Sequence, residues 1–201
     1  VPSTNNNALL IFIKNPEKGN VKTRLAATVG DDKALKIYEK LLAYTCNTVL
    51  NVNADRQLWY SRYIAGEDAW SETNFTKKVQ QGESLGQRMM YAFKQAFDEG
   101  YKKAVVIGSD CGQLQSEHLE NAYQALQSND VVIGPSQDGG YYLLGMRRFL
   151  PVLFEDKAWS TENVFQQTVE DCKKHDSSYH ILEELNDVDT EADWEQVKDQ
   201  F

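Results

Sequence analysis

Three short apolar runs constrain this chain more than any other feature: Ala8–Lys14 (ALLIFIK), the Ala104–Ile107 core of Lys102–Gly112 (KKAVVIGSDCG), and Asp130–Gly134 (DVVIG). Each is rich in β-branched or aliphatic residues, nearly continuous, and bounded by turn formers. That is the pattern of a strand buried on both faces, as in a parallel sheet. None approaches the roughly 20 apolar residues a membrane helix needs. Further strands are expected at Arg56–Tyr63, Lys77–Gln81, Tyr141–Met146 and Tyr179–Leu182. Helices fall between them. One opens at Gly30-Asp31-Asp32 and runs to about Leu50, with Ala34, Ile37, Leu41, Leu42, Thr45 and Val49 at helical spacing. Gly82–Phe97 is amphipathic, and Ser116–Leu126, Ser160–Cys172 and Glu191–Val197 complete the set. Strands alternating with helices from end to end predict an α/β fold on a largely parallel sheet. Without a repeat, low-complexity tract or linker, residues 8–201 read as one domain. Residues 1–7, VPSTNNN, lack a charged and an apolar region, so they read as a disordered end rather than a signal peptide.

Charge narrows the partners. A formal net charge of −9 and a pI near 4.9 argue against nucleic acid and anionic membranes, which call for a basic face. Cys46, Cys111 and Cys172 are odd in number, widely spaced and without a CxxC pair. They suit a reducing cytoplasm and offer neither a disulfide framework nor a zinc site. Cys111 reads as a small, partly buried residue at a strand end. His118, His175 and His180 show no metal spacing and read as surface residues.

Against that acidic background the loop after the first strand stands out. Lys14, Lys18, Lys22 and Arg24 fall within eleven residues that hold a single acid, Glu17. At a strand end, with Gly19 letting amides face inward, such a cluster suits a nucleotide's phosphates; solvated surface lysines are the plainer alternative. The loop is not a P-loop, and GxGxxG is absent. Asp110 stands just beyond the carboxyl end of the Ala104–Ile107 strand, where ligands bind in open α/β sheets. A carboxylate there suits a divalent cation carrying a phosphorylated ligand, or else an Asx-turn or helix cap. Gly134–Tyr142 (GPSQDGGYY) is either a hairpin turn or the wall of an acceptor pocket. In Asn186–Thr190 (NDVDT), Asp187 and Asp189 alternate and so share a side in an extended segment. With Asp110 they could complete an octahedral Mg²⁺ or Mn²⁺ site; Asp189-Thr190 also reads as a helix N-cap.

Six segments occur in order: Lys14–Ala26 (KNPEKGNVKTRLA), Gln81–Met89 (QGESLGQRM), Gly108–Cys111 (GSDC), Gly134–Gly145 (GPSQDGGYYLLG), Trp159–Thr161 (WST) and Leu185–Thr190 (LNDVDT). Together they resemble the small bacterial glycosyltransferase-like proteins of the nucleotide-diphospho-sugar transferase superfamily, relatives of the phospholactate and molybdenum-cofactor guanylyltransferases. The resemblance spans about residues 8 to 195. It implies a GT-A fold, a Rossmann-like three-layer sandwich on a mostly parallel mixed sheet. It further implies that Lys14, Lys22 and Arg24 hold the nucleotide's phosphates, that Gly19 and Ser109 also belong to the nucleotide site, and that Gln81, Gly82 and Leu85 line the base pocket. Asp138, Gly139, Gly140 and Tyr141 would face the acceptor or sugar, and Asp110, Asp187 and Asp189 would hold the metal. The first loop lacks the LAGGxGxR pattern of sugar nucleotidyltransferases, and Gly112 stands where many relatives have proline.

The expectation is a cytoplasmic, metal-dependent transferase with a nucleotide or nucleotide-sugar donor and a small-molecule acceptor. Lys22, Arg24 and Asp110 would be its catalytic groups. Glycosyl transfer is the first reading. Nucleotidyl transfer to a phosphorylated small acid is its rival, and a non-catalytic nucleotide-binding protein is the reading from another class.

Overall fold

The computed structural model describes residues 5–201. Seven strands form one sheet in the order β3-β2-β1-β4-β6-β5-β7: β1 Asn7–Ile13, β2 Asp55–Tyr60, β3 Thr76–Val79, β4 Lys103–Ile107, β5 Val131–Pro135, β6 Tyr141–Met146 and β7 Tyr179–Ile181. Neighbours run parallel except around β6, which is antiparallel to both β4 and β5. The sheet is thus mixed and mostly parallel. Of the segment expected to be disordered, residues 1–4 lie outside the described residues. Asn7 already belongs to β1, and the Asn6 carbonyl accepts from the amides of Lys102 and Lys103.

The apolar runs are continuous because both faces of the sheet are covered. Leu9, Ile11 and Ile13 of β1 pack with Tyr38, Leu42 and Cys46 of α2 (Asp31–Leu50) and with Leu119 and Ala122 of α4 (Ser116–Ala125). The alternate residues Ala8, Leu10 and Phe12 meet Met89, Ala92, Phe93 and Ala96 of α3 (Leu85–Asp98) and Cys172 of α5 (Val164–Lys174). Period two in the strand therefore feeds two cores, and three layers result. Each fully buried aliphatic side chain contributes about 1.5–3 kcal/mol. A smaller cluster joins Leu25 of α1 (Thr23–Val29) to Ile37 and Leu41 of α2 and to Trp194 and Val197 of α6 (Glu191–Val197).

Several boundaries differ from the sequence reading. Helix α1 was not expected; its seven residues carry no capping side chain. Strand β2 ends at Tyr60 because Ser61–Tyr63 turns away to hold Asn15. That side chain donates to the Tyr63 carbonyl and accepts from Ser61 and the Arg62 amide. Helix α5 starts at Val164 rather than Ser160, whose backbone is left-handed (φ 64°). His118 is half-buried, not a free surface residue: its Nδ1 accepts from the Gln115 amide at 3.0 Å and caps α4. Gly112 is buried beneath α6, where a Cβ would lie 3.0 Å from Val197. Among the described residues no helix is long and apolar enough to cross a membrane.

Candidate active site

The strand order reverses between β1 and β4, so their following loops open a crevice at the carboxyl ends of the strands. One side chain ties these loops together. The Tyr38 hydroxyl accepts from the Lys14 amide at 2.9 Å, and it lies 3.1 Å from the buried Ser109 hydroxyl. Burial pushes its pKa up to about 12, so it stays a neutral tether. The NDVDT segment docks on the second loop: the Val188 amide donates to the Asp110 carbonyl at 2.9 Å, and Val188 enters the α1/α2/α6 core. Of the two aspartates that flank it, Asp189 lines the larger of two cavities and Asp187 the smaller. Thr190 caps α6 through the Asp193 amide, and the Asp193 carboxylate accepts from the Thr190 amide in return.

At the crevice centre lies Lys22. Its ammonium is 2.8 Å from Asp110 Oδ2 and 3.1 Å from Asp189 Oδ1, with only 5 % of the side chain exposed. Arg24 reaches the other oxygen of Asp189 at 3.2 Å. Burial disfavours the ammonium, but Asp110 and then Asp189 outweigh it and hold the Lys22 pKa above the ordinary value. Burial also works against the Asp110 carboxylate, yet Lys22 keeps its pKa below the usual range. Asp187 lies outside this bridge. Burial, reinforced by the negative charge of Asp110, pushes its carboxyl well above the usual value. The structure thus builds a carboxylate pair around an ammonium rather than the expected triad. Among the described residues no group of three or more His, Cys, Asp or Glu side chains is placed to hold a metal ion. Two carboxylates that already embrace a cation nevertheless fit Mg²⁺ or Mn²⁺, which bind through one or two carboxylates plus substrate phosphates.

Two cavities meet here. The larger, about 800 Å³, is lined by Lys14, Lys22, Arg24, Arg62 and Arg88 together with Ser109 and Asp110. Its acids, Asp110 and Asp189, are already paired with Lys22, and Glu83 is the third. The smaller, about 390 Å³, is lined by Asp138, Glu162, Asp187, Gly140 and Trp159, with Arg24 at the shared edge. Arg24, Leu85, Tyr141 and Ser160 border both. The Tyr141 hydroxyl is buried and has no hydrogen-bond partner among the described residues.

The smaller cavity is shaped by close backbone packing. Asp138 Oδ1 accepts from the Ser136 hydroxyl at 2.6 Å and the Gly140 amide at 3.0 Å, forming a tight turn. Gly139 has φ +85°, and a Cβ there would lie 2.0 Å from the Glu162 carbonyl oxygen. The Trp159 ring lies against Gly86, where a Cβ would come within 2.2 Å of it, and stacks on Phe154 with centroids 6.3 Å apart.

Some residues expected at the nucleotide do not line the larger cavity. Gln81 and Gly82 line a separate apolar groove with Phe149 and Pro151, because Gly82 (φ +129°) turns the chain before Ser84 caps α3. Gln80 and Glu83 face the larger cavity instead, and Leu85 does so as expected. Gly19 and Lys18 do not line it; Lys18 pairs with Asp32 at 2.8 Å on the exposed side. Arg62, Arg88 and Trp159 were not foreseen as site residues. Only the tryptophan had a local signal, the WST motif.

A family profile described as "Uncharacterized protein conserved in bacteria (DUF2064)" matches residues 44–161. A Desulfovibrio desulfuricans protein regarded as a nucleotide-diphospho-sugar transferase superposes with a TM-score of 0.87 and 37 % identity, over 93 % of this chain and 84 % of its own. A 2-phospho-L-lactate guanylyltransferase from Methanocaldococcus jannaschii is 25 % identical over 114 residues, 55 % of this chain and 49 % of its own. The chain therefore spans about half the length of that curated relative. A Mycobacterium tuberculosis protein crystallised with manganese shares the fold at a TM-score of 0.60 and 12 % identity, over 97 % of this chain and 98 % of its own. The two relatives at 25 % identity or more carry transferase names.

Proposed function

The chain belongs to the bacterial family described as DUF2064, and from that membership and the paired cavities we propose a metal-dependent transferase that moves a sugar from a nucleotide-sugar donor to a small hydroxylated acceptor. The observation that carries this reading is the contrast across Tyr141. The larger cavity presents five cationic side chains against three acids, two of them already paired with Lys22; the smaller presents three carboxyl groups and an indole against Arg24 alone, at the shared edge. A donor diphosphate suits the first, because Lys and Arg side chains bind phosphate oxygens through short charge-assisted hydrogen bonds. A hydroxylated ring suits the second, with carboxyl oxygens accepting from its hydroxyls and Trp159 covering a face. A phosphorylated acid in the second cavity would meet Asp138 and Glu162 as like charges.

In this reading Lys14, Lys22 and Arg24 orient the diphosphate at the β1–α1 loop. The acceptor oxygen bonds to the anomeric carbon as that carbon's bond to the diphosphate oxygen breaks. The electron pair leaves with the nucleoside diphosphate, and the hydroxyl proton passes to a carboxylate of the smaller cavity. Lys22 and Arg24 stabilise the leaving charge in a crevice where Lys22 is already withdrawn from water. A divalent cation at Asp110 and Asp189 would neutralise phosphate oxygens of the same leaving group.

Nucleotidyl transfer is the second reading. The Methanocaldococcus jannaschii relative is a guanylyltransferase. Product analysis with a panel of nucleoside triphosphates and nucleotide sugars separates the two. Release of nucleoside diphosphate supports glycosyl transfer, and release of pyrophosphate overturns it in favour of nucleotidyl transfer. Nucleotide binding indifferent to Mg²⁺ and to Asp110→Asn, with neither product formed, would point to a non-catalytic binding protein.

A further inference from the structure

Lys22 holds the place a metal ion would need. Its ammonium lies between one oxygen of Asp110 and one of Asp189, at 2.8 and 3.1 Å. A magnesium ion binds carboxylate oxygens at about 2.0–2.1 Å, so it and the ammonium cannot share that space. The local charges are also closed, since Arg24 takes the second oxygen of Asp189. Both carboxylates already face a cationic side chain.

The chain commits its backbone to this arrangement. Lys22 has φ 48° and ψ 46°, a left-handed conformation that residues with a Cβ avoid, and it begins α1 without a capping side chain. The same lysine lines the cationic cavity, so its flexible stem has a second anion to reach once phosphates arrive. We propose that Lys22 is a resident counter-ion that keeps the donor-free site closed to divalent cations, and that a metal ion gains Asp110 and Asp189 only together with the donor's phosphates, which draw the ammonium away. This rests on reading the larger cavity as the phosphate site, and it adds an order of binding: donor and metal enter together, never metal first.

Mn²⁺ alone is the probe, followed by the electron paramagnetic resonance of the free ion in the absence of nucleotide. Lys22→Met keeps the stem and removes the charge; it is expected to bind Mn²⁺ at least tenfold more tightly than wild type. Lys22→Arg restores the charge and should return to weak binding. Adding Asp110→Asn to Lys22→Met should abolish the gain. Equal affinities of folded wild type and Lys22→Met would overturn the proposal. Wild type gives an arm that needs no Lys22 variant: tight Mn²⁺ binding without nucleotide, lost in Asp110→Asn, also overturns it. With a nucleoside diphosphate present, wild type should retain more Mn²⁺ than protein and nucleotide do separately. Exchange shown in these measurements without any sugar transfer would refute the proposed reaction while upholding the role of Lys22.

Discussion

The two cavities that meet at Tyr141 are held in shape by different physics. On the cationic side, charges and hydrogen bonds fix the geometry: Tyr38 ties the loops after β1 and β4, and Lys22 bridges Asp110 and Asp189. On the acidic side, close packing does it, with Gly139 against the Glu162 carbonyl and Trp159 against Gly86. Phosphates carry charge and can exchange with a bridging ammonium, so a polar, rearrangeable wall suits them. A neutral ring offers shape and hydroxyls, so a wall set by steric contact suits it. Substitutions on the two sides should therefore fail in different ways.

The largest effect is expected from Asp110→Asn. It removes the negative charge beside a lysine that is almost fully buried and replaces one carboxylate oxygen with an amide nitrogen that cannot ligate a cation. Transfer should fall by about 10²–10³, the cost typical of losing one preorganised electrostatic group. Stability should fall by about 2 kcal/mol, less than for a fully buried pair because Asp110 is partly exposed. Steady-state rates and urea unfolding test both halves; a change confined to the acceptor KM would break the assignment of sides.

Gly86→Ala probes the other wall. Its Cβ would fall 2.2 Å from the Trp159 ring, so the indole must move. We expect a loss of about 1–3 kcal/mol in stability, the usual cost of overpacking. The acceptor KM should rise while the donor Kd stays unchanged. Weakened donor binding with normal acceptor KM would show that the walls do not act separately.

The smallest effect sharpens the comparison within one short segment. Asp187 titrates above its unfolded value, so its ionisation costs stability from roughly pH 4 upward and nothing below that. Asp110 titrates below its unfolded value, so its contribution is present above roughly pH 4 and fades as pH falls through the folded pKa. At pH 7 Asp187→Asn should therefore stabilise by about 1 kcal/mol, opposite in sign to Asp110→Asn. Both differences should shrink as unfolding is followed down toward pH 3. Destabilisation by Asp187→Asn at pH 7 would mean the carboxylate is paired rather than strained.

The sheet was legible because its strands are short, apolar and bounded by turn residues; Tyr141–Met146 begins and ends where the pattern predicts. That Lys22 and Asp110 lie at the crevice was legible for a related reason, since both follow strand ends; that Asp189 joins Lys22 while Asp187 lines the other cavity was not. Pairing was not legible. Whether Lys22 meets Asp110 depends on β1 and β4 lying side by side, which no local pattern encodes. Arg62 and Arg88 reach the cavity from the end of β2 and from α3, through register and packing rather than motif. Helix α1 escaped notice because its start is a left-handed lysine instead of a capping residue. Gln81 lies in a separate groove because of the turn at Gly82, a backbone property that the motif does not show.

The central claim is that the cationic cavity holds a nucleotide-activated donor together with a divalent cation. Calorimetric titration of wild type and Asp110→Asn with a panel of nucleotides and nucleotide sugars, with and without Mn²⁺, tests it most directly. The account predicts that one nucleotide sugar binds wild type, that Mn²⁺ strengthens the binding, and that Asp110→Asn loses the Mn²⁺ effect. Absence of binding by every compound to a folded protein, or binding indifferent to both Mn²⁺ and Asp110, would contradict it.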